Sequence, residues 1–588
     1  MIQARSIPSI VLAFFALACG SLHAQNGNYV PGEVIVKIRS SEGSPEAYNF
    51  LGKAHSNKSM TLKDGWGRMD MYHFALKKGQ TVESAVHELM QDPEVLYAEP
   101  NYYLGKSDST GMHEVFSAAE IQAAAVSAQA VNYLATSVPI GVQSVWSQSM
   151  VPAVKPIVAV IDTGLDVSHF VIRQTGALWT NNNEIPNNGV DDDMNGYVDD
   201  VNGWNFVNNS GLMYDDDGHG THVSGIILSI DQNIYVTPLR EAKIEIMPLK
   251  FLNGNGVGTT SDAIRAIYYA ANNGATVLNN SWGGSAYSAA LHEAIAYTYT
   301  KGALFVAAAG NAGTNNDSAP LYPANYDVPN VISIAATTDR DWLASFSNFG
   351  ASSVDMGSPG TIILSTIPNG GFGTSSGTSM AAPFVAGTAA QMKVEAPGIL
   401  GYQMREILLG TIAGVSELSG KVASSGRLNT SASVAYSKTA AIRTTQPGYS
   451  LSYSADRELA SSMAGGGGWG GVRAPSQSGP PFGSGGTVVL LLLTPIVALV
   501  IMRLRSPASR RKHERFKINS DVRITVGDRE LVGSVSSISL GGAQINTAAL
   551  LQDGGLVTMS ISSPSGEEKI EVAGRVVWSE ANKAYGVA

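Results

Sequence analysis

Four short apolar runs constrain this chain more than anything else in it: Ile157-Val158-Ala159-Val160-Ile161, Thr276-Val277-Leu278-Asn279, Leu304-Phe305-Val306-Ala307-Ala308 and Val331-Ile332-Ser333-Ile334. A strand with one face in water alternates polar and apolar residues, whereas a continuous run must be covered on both sides. Between these runs, residues 261–272 and 288–299 carry helical spacing. The pattern over residues 138–440 therefore predicts an α/β fold, a parallel sheet covered by helices. In such sheets, sites gather at the carboxyl ends of the strands. Asp162, Ser281 and Asn311 stand at those ends.

The rest of the chain divides around this domain. A length of 588 residues leaves room for about three to four domains. The net charge of −10 speaks against a nucleic-acid-binding body. The single cysteine, Cys19, excludes a disulfide framework. Cys19 falls within an apolar leader behind Arg5, and Leu22-His23-Ala24 offers a small-residue cleavage site, so residues 1–24 read as a signal peptide of an exported protein. Acylation of Cys19 is the alternative.

Residues 29–105 have a compact α+β pattern, closed by a strand, Val95-Leu96-Tyr97-Ala98-Glu99-Pro100-Asn101, that proline is expected to stop. Residues 106–137 read as an Ala/Ser-rich linker and 441–486 as a Gly/Pro/Ser-rich one. Residues 487–504 are apolar as far as Met502, and Arg503, Arg505, Arg510, Arg511 and Lys512 follow that run. That pattern predicts a membrane helix with its C-terminal side in the cytoplasm and the preceding domains outside. Residues 508–588 alternate as short strands and read as a small β-barrel.

Ser379 is crowded by small residues at the start of an Ala-rich helical segment, where unpaired N–H groups favour developing negative charge. Alone, it would be a helix cap. A nucleophilic serine needs a base, a group to orient that base and donors for an oxyanion. His219, framed by glycines, Asp162 at a strand end and Asn311 at another supply them. In an α/β-hydrolase the histidine follows the serine, but His513 is the only histidine after Ser379, beyond the apolar run. His222 completes an H-x-x-H pair with no third ligand nearby, and is read as structural.

The order Asp162, His219, Ser379 and the motifs Val160-Ile161-Asp162-Thr163-Gly164, His219-Gly220-Thr221-His222-Val223-Ser224-Gly225 and Gly377-Thr378-Ser379-Met380-Ala381-Ala382-Pro383 closely resemble the subtilisin-like serine peptidases. The resemblance covers about half the chain. It implies a serine endopeptidase acting on protein or peptide substrates, with Ser379 as nucleophile, His219 as general base and acid, Asp162 orienting the imidazole and Asn311 as oxyanion donor. Ser281, Trp282, Gly283, Gly284 and Gly310 would bind substrate, along an edge that takes an extended peptide and opens on a roomy pocket for apolar or aromatic side chains. Residues 29–105 resemble the inhibitory pro-domains of that family, so the chain would be a zymogen inhibited by its own pro-domain and cut within the following linker.

The segment Asp191-Asp192-Asp193-Met194-Asn195-Gly196 contains D-x-D-x-N-G, the first half of a calcium loop. Crowded carboxylates repel one another without a cation, so Ca²⁺ is expected on Asp191, Asp193, Asn195 and Asp199, with the Tyr197 carbonyl. Residues 508–588 resemble a PilZ domain, whose family binds cyclic di-GMP. Arg511 and Arg515 match its R-x-x-x-R, and Ser537, Ser539 and Gly542 its second motif, except at the first position of that motif. Two other readings stand beside the membrane-anchored protease: a catalytically silent surface scaffold, and a protease whose C-terminal tail is a sorting signal.

Overall fold

In this computed structural model, the described residues are 28–39, 44–56, 60–66, 69–107, 114–121, 140–147, 151–443 and 445–449, with the backbone of six strands between 516 and 587. The expected signal peptide, the 487–504 span, Arg511 and Arg515 lie outside them. Among the described residues, no helix is long and apolar enough to cross a membrane.

The four apolar runs lie side by side. Parallel strands run Gly426–Arg427, Met356–Pro359, Val331–Thr337, Leu304–Ala308, Val277–Asn280, Ile157–Asp162, Glu245–Lys250 and Trp204–Asn205, and Ala413–Gly414 adds an antiparallel ninth at one edge. Both faces are buried, as the unbroken runs require. Ala159, Ile161, Leu278, Phe305 and Ala307 pack on one side with the helices Thr260–Asn272 and Ala289–Thr300. Val158, Val160, Val277, Val306 and Ala308 pack on the other, against His219–Asp231 and Thr378–Glu395. Strands added after Ile157–Asp162 go to both sides of it, so the crevice outside its carboxyl end is the natural site.

The N-terminal domain is an antiparallel sheet ordered Val95–Lys106, Tyr29–Ile38, Met71–Ala75, Thr61–Trp66, with helices Pro45–Ser56 and Val82–Met90. One expectation fails here. Pro100 does not end the last strand, which continues to Lys106. Pro100 stands opposite Val34 in the domain's own sheet, and beyond Tyr102, still paired there with Tyr29, the strand pairs with Val257–Thr259 and Trp282–Gly283 of the α/β domain. Proline lacks one donor, which a strand that is leaving its sheet does not need. Within the predicted linker, Val115–Phe116 pairs with Gly371–Ser375.

A second unit closes as a six-stranded antiparallel barrel, ordered Phe516–Val526, Arg529–Ser539, Gly542–Thr547, Ala584–Val587, Lys569–Glu580 and Leu556–Ser562. Ser537 and Ser539 end one strand and Gly542 opens the next, with Ser539 paired to Gly542.

Candidate active site

Asp162 ends its strand fully buried, where the Thr163 amide donates to its Oδ1 at 2.7 Å. His219 Nδ1 lies 2.7 Å from the same oxygen. A carboxylate can only accept, so Nδ1 carries the proton and Nε2 is the basic nitrogen. His219 opens its helix after Gly218, whose φ of +97° suits glycine. Asp215 caps this turn: one oxygen accepts from Gly218 N at 2.8 Å and Thr163 Oγ1 at 2.9 Å, the other from Thr221 N at 2.8 Å. Asp216 takes the buried ammonium of Lys250 at 2.6 Å. His222 Nε2 lies about equally close to the Ile363 and Gly373 carbonyls, at 3.1 and 3.0 Å, in keeping with a structural role.

Ser379 sits in the first turn of its helix. Pro383, four residues on, has no N–H for the Ser379 carbonyl, and the Ser281 hydroxyl donates to it instead at 3.0 Å. That bond ties the substrate-edge motif to the serine. Asn311 is oriented from behind: its Oδ1 accepts from the Thr378 amide at 2.9 Å and the Thr378 hydroxyl at 3.0 Å. Its Nδ2 therefore faces the cleft and donates to the carbonyl oxygen of Ser107, to which the Ser379 hydroxyl also donates.

Ser107 is thus held at the serine by the chain's own N-terminal strand. Its amide donates to Ser281 O at 3.0 Å, Lys106 N to Gly256 O at 3.0 Å, and Gly105 pairs with Gly283. The strand lies between two edges. The second edge, Val257–Thr259, escaped the sequence reading, although the Gly254-Asn255-Gly256-Val257-Gly258 run marked a place for close backbone approach. Trp282 is fully buried against Phe251, with ring centroids 4.9 Å apart, and supports its strand from inside. Gly283 and Gly310 both back onto Leu321, and Gly284 onto Leu104. The residue whose carbonyl meets Ser379 is Ser107, small and hydroxylated.

The N-terminal domain grips two helix starts. Glu99 accepts from Ser288 Oγ at 2.5 Å and from Ala289 N at 2.8 Å, and Asn101 Oδ1 accepts from Ser261 N at 3.0 Å. Lys37 pairs with the buried Glu293 at 2.8 Å. Burial pushes the Glu99 carboxyl up to about 7, against the pull of the donors from Ser288, Ala289 and Ala290, with the Glu293 charge adding to the rise.

In the acidic loop, the carboxylates that converge are Glu184, Asp193 and Asp200, with oxygens within 4.8 Å of one another. Asp191 instead accepts from Asn195 N at 3.0 Å and Gly196 N at 2.8 Å, and Asp199 from Asn188 N at 3.0 Å and Gly189 N at 2.9 Å. Asn195 Nδ2 donates to Asp200 at 2.9 Å, while its Oδ1 accepts from the Tyr197 amide at 2.8 Å. Of the expected side-chain ligands, Asp193 alone belongs to the converging group. Desolvation and neighbouring carboxylates raise the pKa of both Glu184 and Asp200. A hard cation on three oxygen donors would relieve both effects, so the donor set suits calcium.

The chain is 33% identical over 416 residues to the thermophilic serine proteinase of Bacillus sp. (strain AK1), covering 70% of this chain and 89% of that protein. It belongs to the subtilase family. The subtilase family model matches residues 154–438, a fervidolysin N-terminal prodomain model matches 21–101, and a PilZ domain model matches 509–588. Thermitase of Thermoactinomyces vulgaris is 37% identical over 232 residues, covering 40% of this chain and 72% of that one. Subtilisin DY of Bacillus licheniformis is 33% identical over 261 residues, covering 44% and 84%. This subtilase is a serine endopeptidase with an N-terminal prodomain.

Proposed function

We propose that Ser379, His219 and Asp162 are the catalytic triad of this endopeptidase and Asn311 its oxyanion donor. The observation that carries the reading is one carbonyl, that of Ser107, met by both the Ser379 hydroxyl and the Asn311 amide. Ser379 Oγ adds to the substrate carbonyl as His219 Nε2 takes its proton. Charge then builds on the carbonyl oxygen, where Asn311 is already aimed. His219 returns the proton to the departing nitrogen, and water releases the acyl group by the same steps in reverse. Asp162 holds the imidazole in the tautomer this requires. Ser281, Trp282, Gly283, Gly284 and Gly310 bind the extended substrate. A fluorophosphonate should label mature enzyme at Ser379 and nowhere else; intact protein without label would favour a silent scaffold.

The prodomain is proposed to inhibit by lying in the cleft as a substrate does, after export and removal of the leader. A carboxyl whose pKa is raised in the complex stabilises it fully below its ordinary value of 4.5 and loses that contribution as pH rises through about 7. Release of the cleaved prodomain should therefore quicken between about pH 5 and 8, measured as the rate at which peptidase activity appears. Glu99→Gln should flatten that profile.

Calcium is proposed at Glu184, Asp193 and Asp200, supported by Asp191, Asn195, Tyr197 and Asp199 in the surrounding loop. A chelator should lower the melting midpoint of the peptidase by roughly 5–10 °C, restored by added Ca²⁺. We further propose that residues 487–504 anchor the protein in the cytoplasmic membrane with the peptidase outside. The PilZ domain would then meet cyclic di-GMP in the cytoplasm through Arg511, Arg515, Ser537, Ser539 and Gly542. The basic run after residue 504 and the barrel's family support this arrangement; fractionation and calorimetric titration test its two halves.

A further inference from the structure

The strand in the cleft fixes a register. With the Ser107 carbonyl at Ser379 and Asn311, the bond presented is the one Ser107 makes to Asp108, and Lys106 is the second residue before it. Beside Lys106 stands Asp217, the last residue of the run Asp215-Asp216-Asp217. Asp215 is occupied with the turn before His219 and Asp216 with Lys250. Asp217 differs: both of its oxygens lie on the Lys106 ammonium, at 2.6 and 2.7 Å. Only 13% of the lysine side chain and 11% of the aspartate side chain are exposed, so this is a largely desolvated pair rather than a surface one. Gly256 leaves the room that the long side chain needs. A Cβ on Gly256 would stand 2.6–2.8 Å from three carbons of the Lys106 stem, and φ there is +71°. A charge at the far end and a glycine under the stem select length and sign together.

We propose that Asp217 makes this subtilase selective for lysine or arginine at the second residue before the scissile bond, and that its own prodomain is cut at Ser107–Asp108 by the same rule. The inference rests on the active-site reading above. In that cut, the Ser379 Oγ–carbonyl bond forms as the Ser107–Asp108 C–N bond breaks. The serine proton passes through His219 to the Asp108 nitrogen, and water then frees the Ser107 carboxylate. Leu104, buried at 4% exposure against Gly284, marks the fourth position as apolar. The preferred sequence before the cut is therefore apolar, any, basic, small.

The test uses matured enzyme and three quenched peptides that contain Leu-Gly-Lys-Ser-Asp, Leu-Gly-Ala-Ser-Asp or Leu-Gly-Glu-Ser-Asp. The lysine peptide should exceed the alanine peptide in kcat/KM by about 10- to 100-fold, with the glutamate peptide lowest. The ratio should shrink as salt is raised. Asp217→Asn should bring the lysine-to-alanine ratio to within about threefold of unity, whatever its overall rate, and Asp217→Glu should keep a lysine preference. Sequencing the mature N-terminus should read Asp108 first. Cleavage of all three peptides at equal rates, or a ratio untouched by Asp217→Asn, overturns the selectivity, and a different N-terminus overturns the rule for the prodomain. No cleavage of any peptide together with no fluorophosphonate label at Ser379 would instead sink the active-site reading.

Discussion

Ser379→Ala should leave the chain as an unprocessed precursor and lower kcat by about 10⁶-fold, the loss known for the corresponding change in subtilisin itself. The reason lies in what the hydroxyl touches. Its oxygen is in contact with the Ser107 carbonyl, so the variant keeps the strand, the Asn311 amide and the His219–Asp162 pair but has no atom to form the acyl bond. Alanine is smaller and apolar, and the helix start is held through the Ser379 carbonyl by Ser281, which the substitution spares. Folding should be intact, and the measurement is a single precursor band that wild-type enzyme added in trans converts to mature form. Maturation of the variant alone would assign the cut to another protease.

Asp162→Asn should cost about 10⁴-fold in kcat with little change in KM. The shape is nearly the same, but an amide turned toward His219 donates where the carboxylate accepted. Nδ1 must then become the acceptor, which moves the proton to Nε2, the nitrogen needed as base. The Thr163 amide at 2.7 Å, which asks for an acceptor at the same position, sets up a conflict that the carboxylate never meets. Raising the pH should recover part of the activity, as a serine that ionises more readily depends less on its base.

The sheet, and the four residues proposed here as catalytic, could be picked out because each rests on local pattern. An apolar run has to be covered, and Asp162, His219, Asn311 and Ser379 each follow a strand or open a helix. What was not legible depended on distance in the chain. Glu184 joins Asp193 and Asp200 from outside the D-x-D-x-N-G motif, and a motif read along the chain credits its own members, such as Asp191 and Asp199, whose oxygens are spent on the amides of their own turns. The strand through Pro100 was misread because proline was judged as an interruption of one sheet. Its neighbours beyond Tyr102 come from residues about 150–180 positions away, which no local rule reports. Lys106 and Ser107 looked like the start of a linker, and only the register of the paired strands gives them a place in the cleft.

The strand Val95–Lys106 belongs to two sheets at once, and that has a consequence for timing. While the chain is whole, the bond to be cut is tethered beside its own nucleophile, so the first cut is unimolecular and its rate does not depend on how much protein is present. The cut does not remove the strand. The same backbone bonds still hold it, now without a covalent link, together with the grips of Glu99, Asn101 and Lys37. Freeing the cleft then needs dissociation of that whole surface, or attack on the prodomain by a molecule already free. The second route is bimolecular and feeds on its own product, so a dilute sample should sit dormant and then switch on abruptly, with a lag that a trace of mature enzyme abolishes.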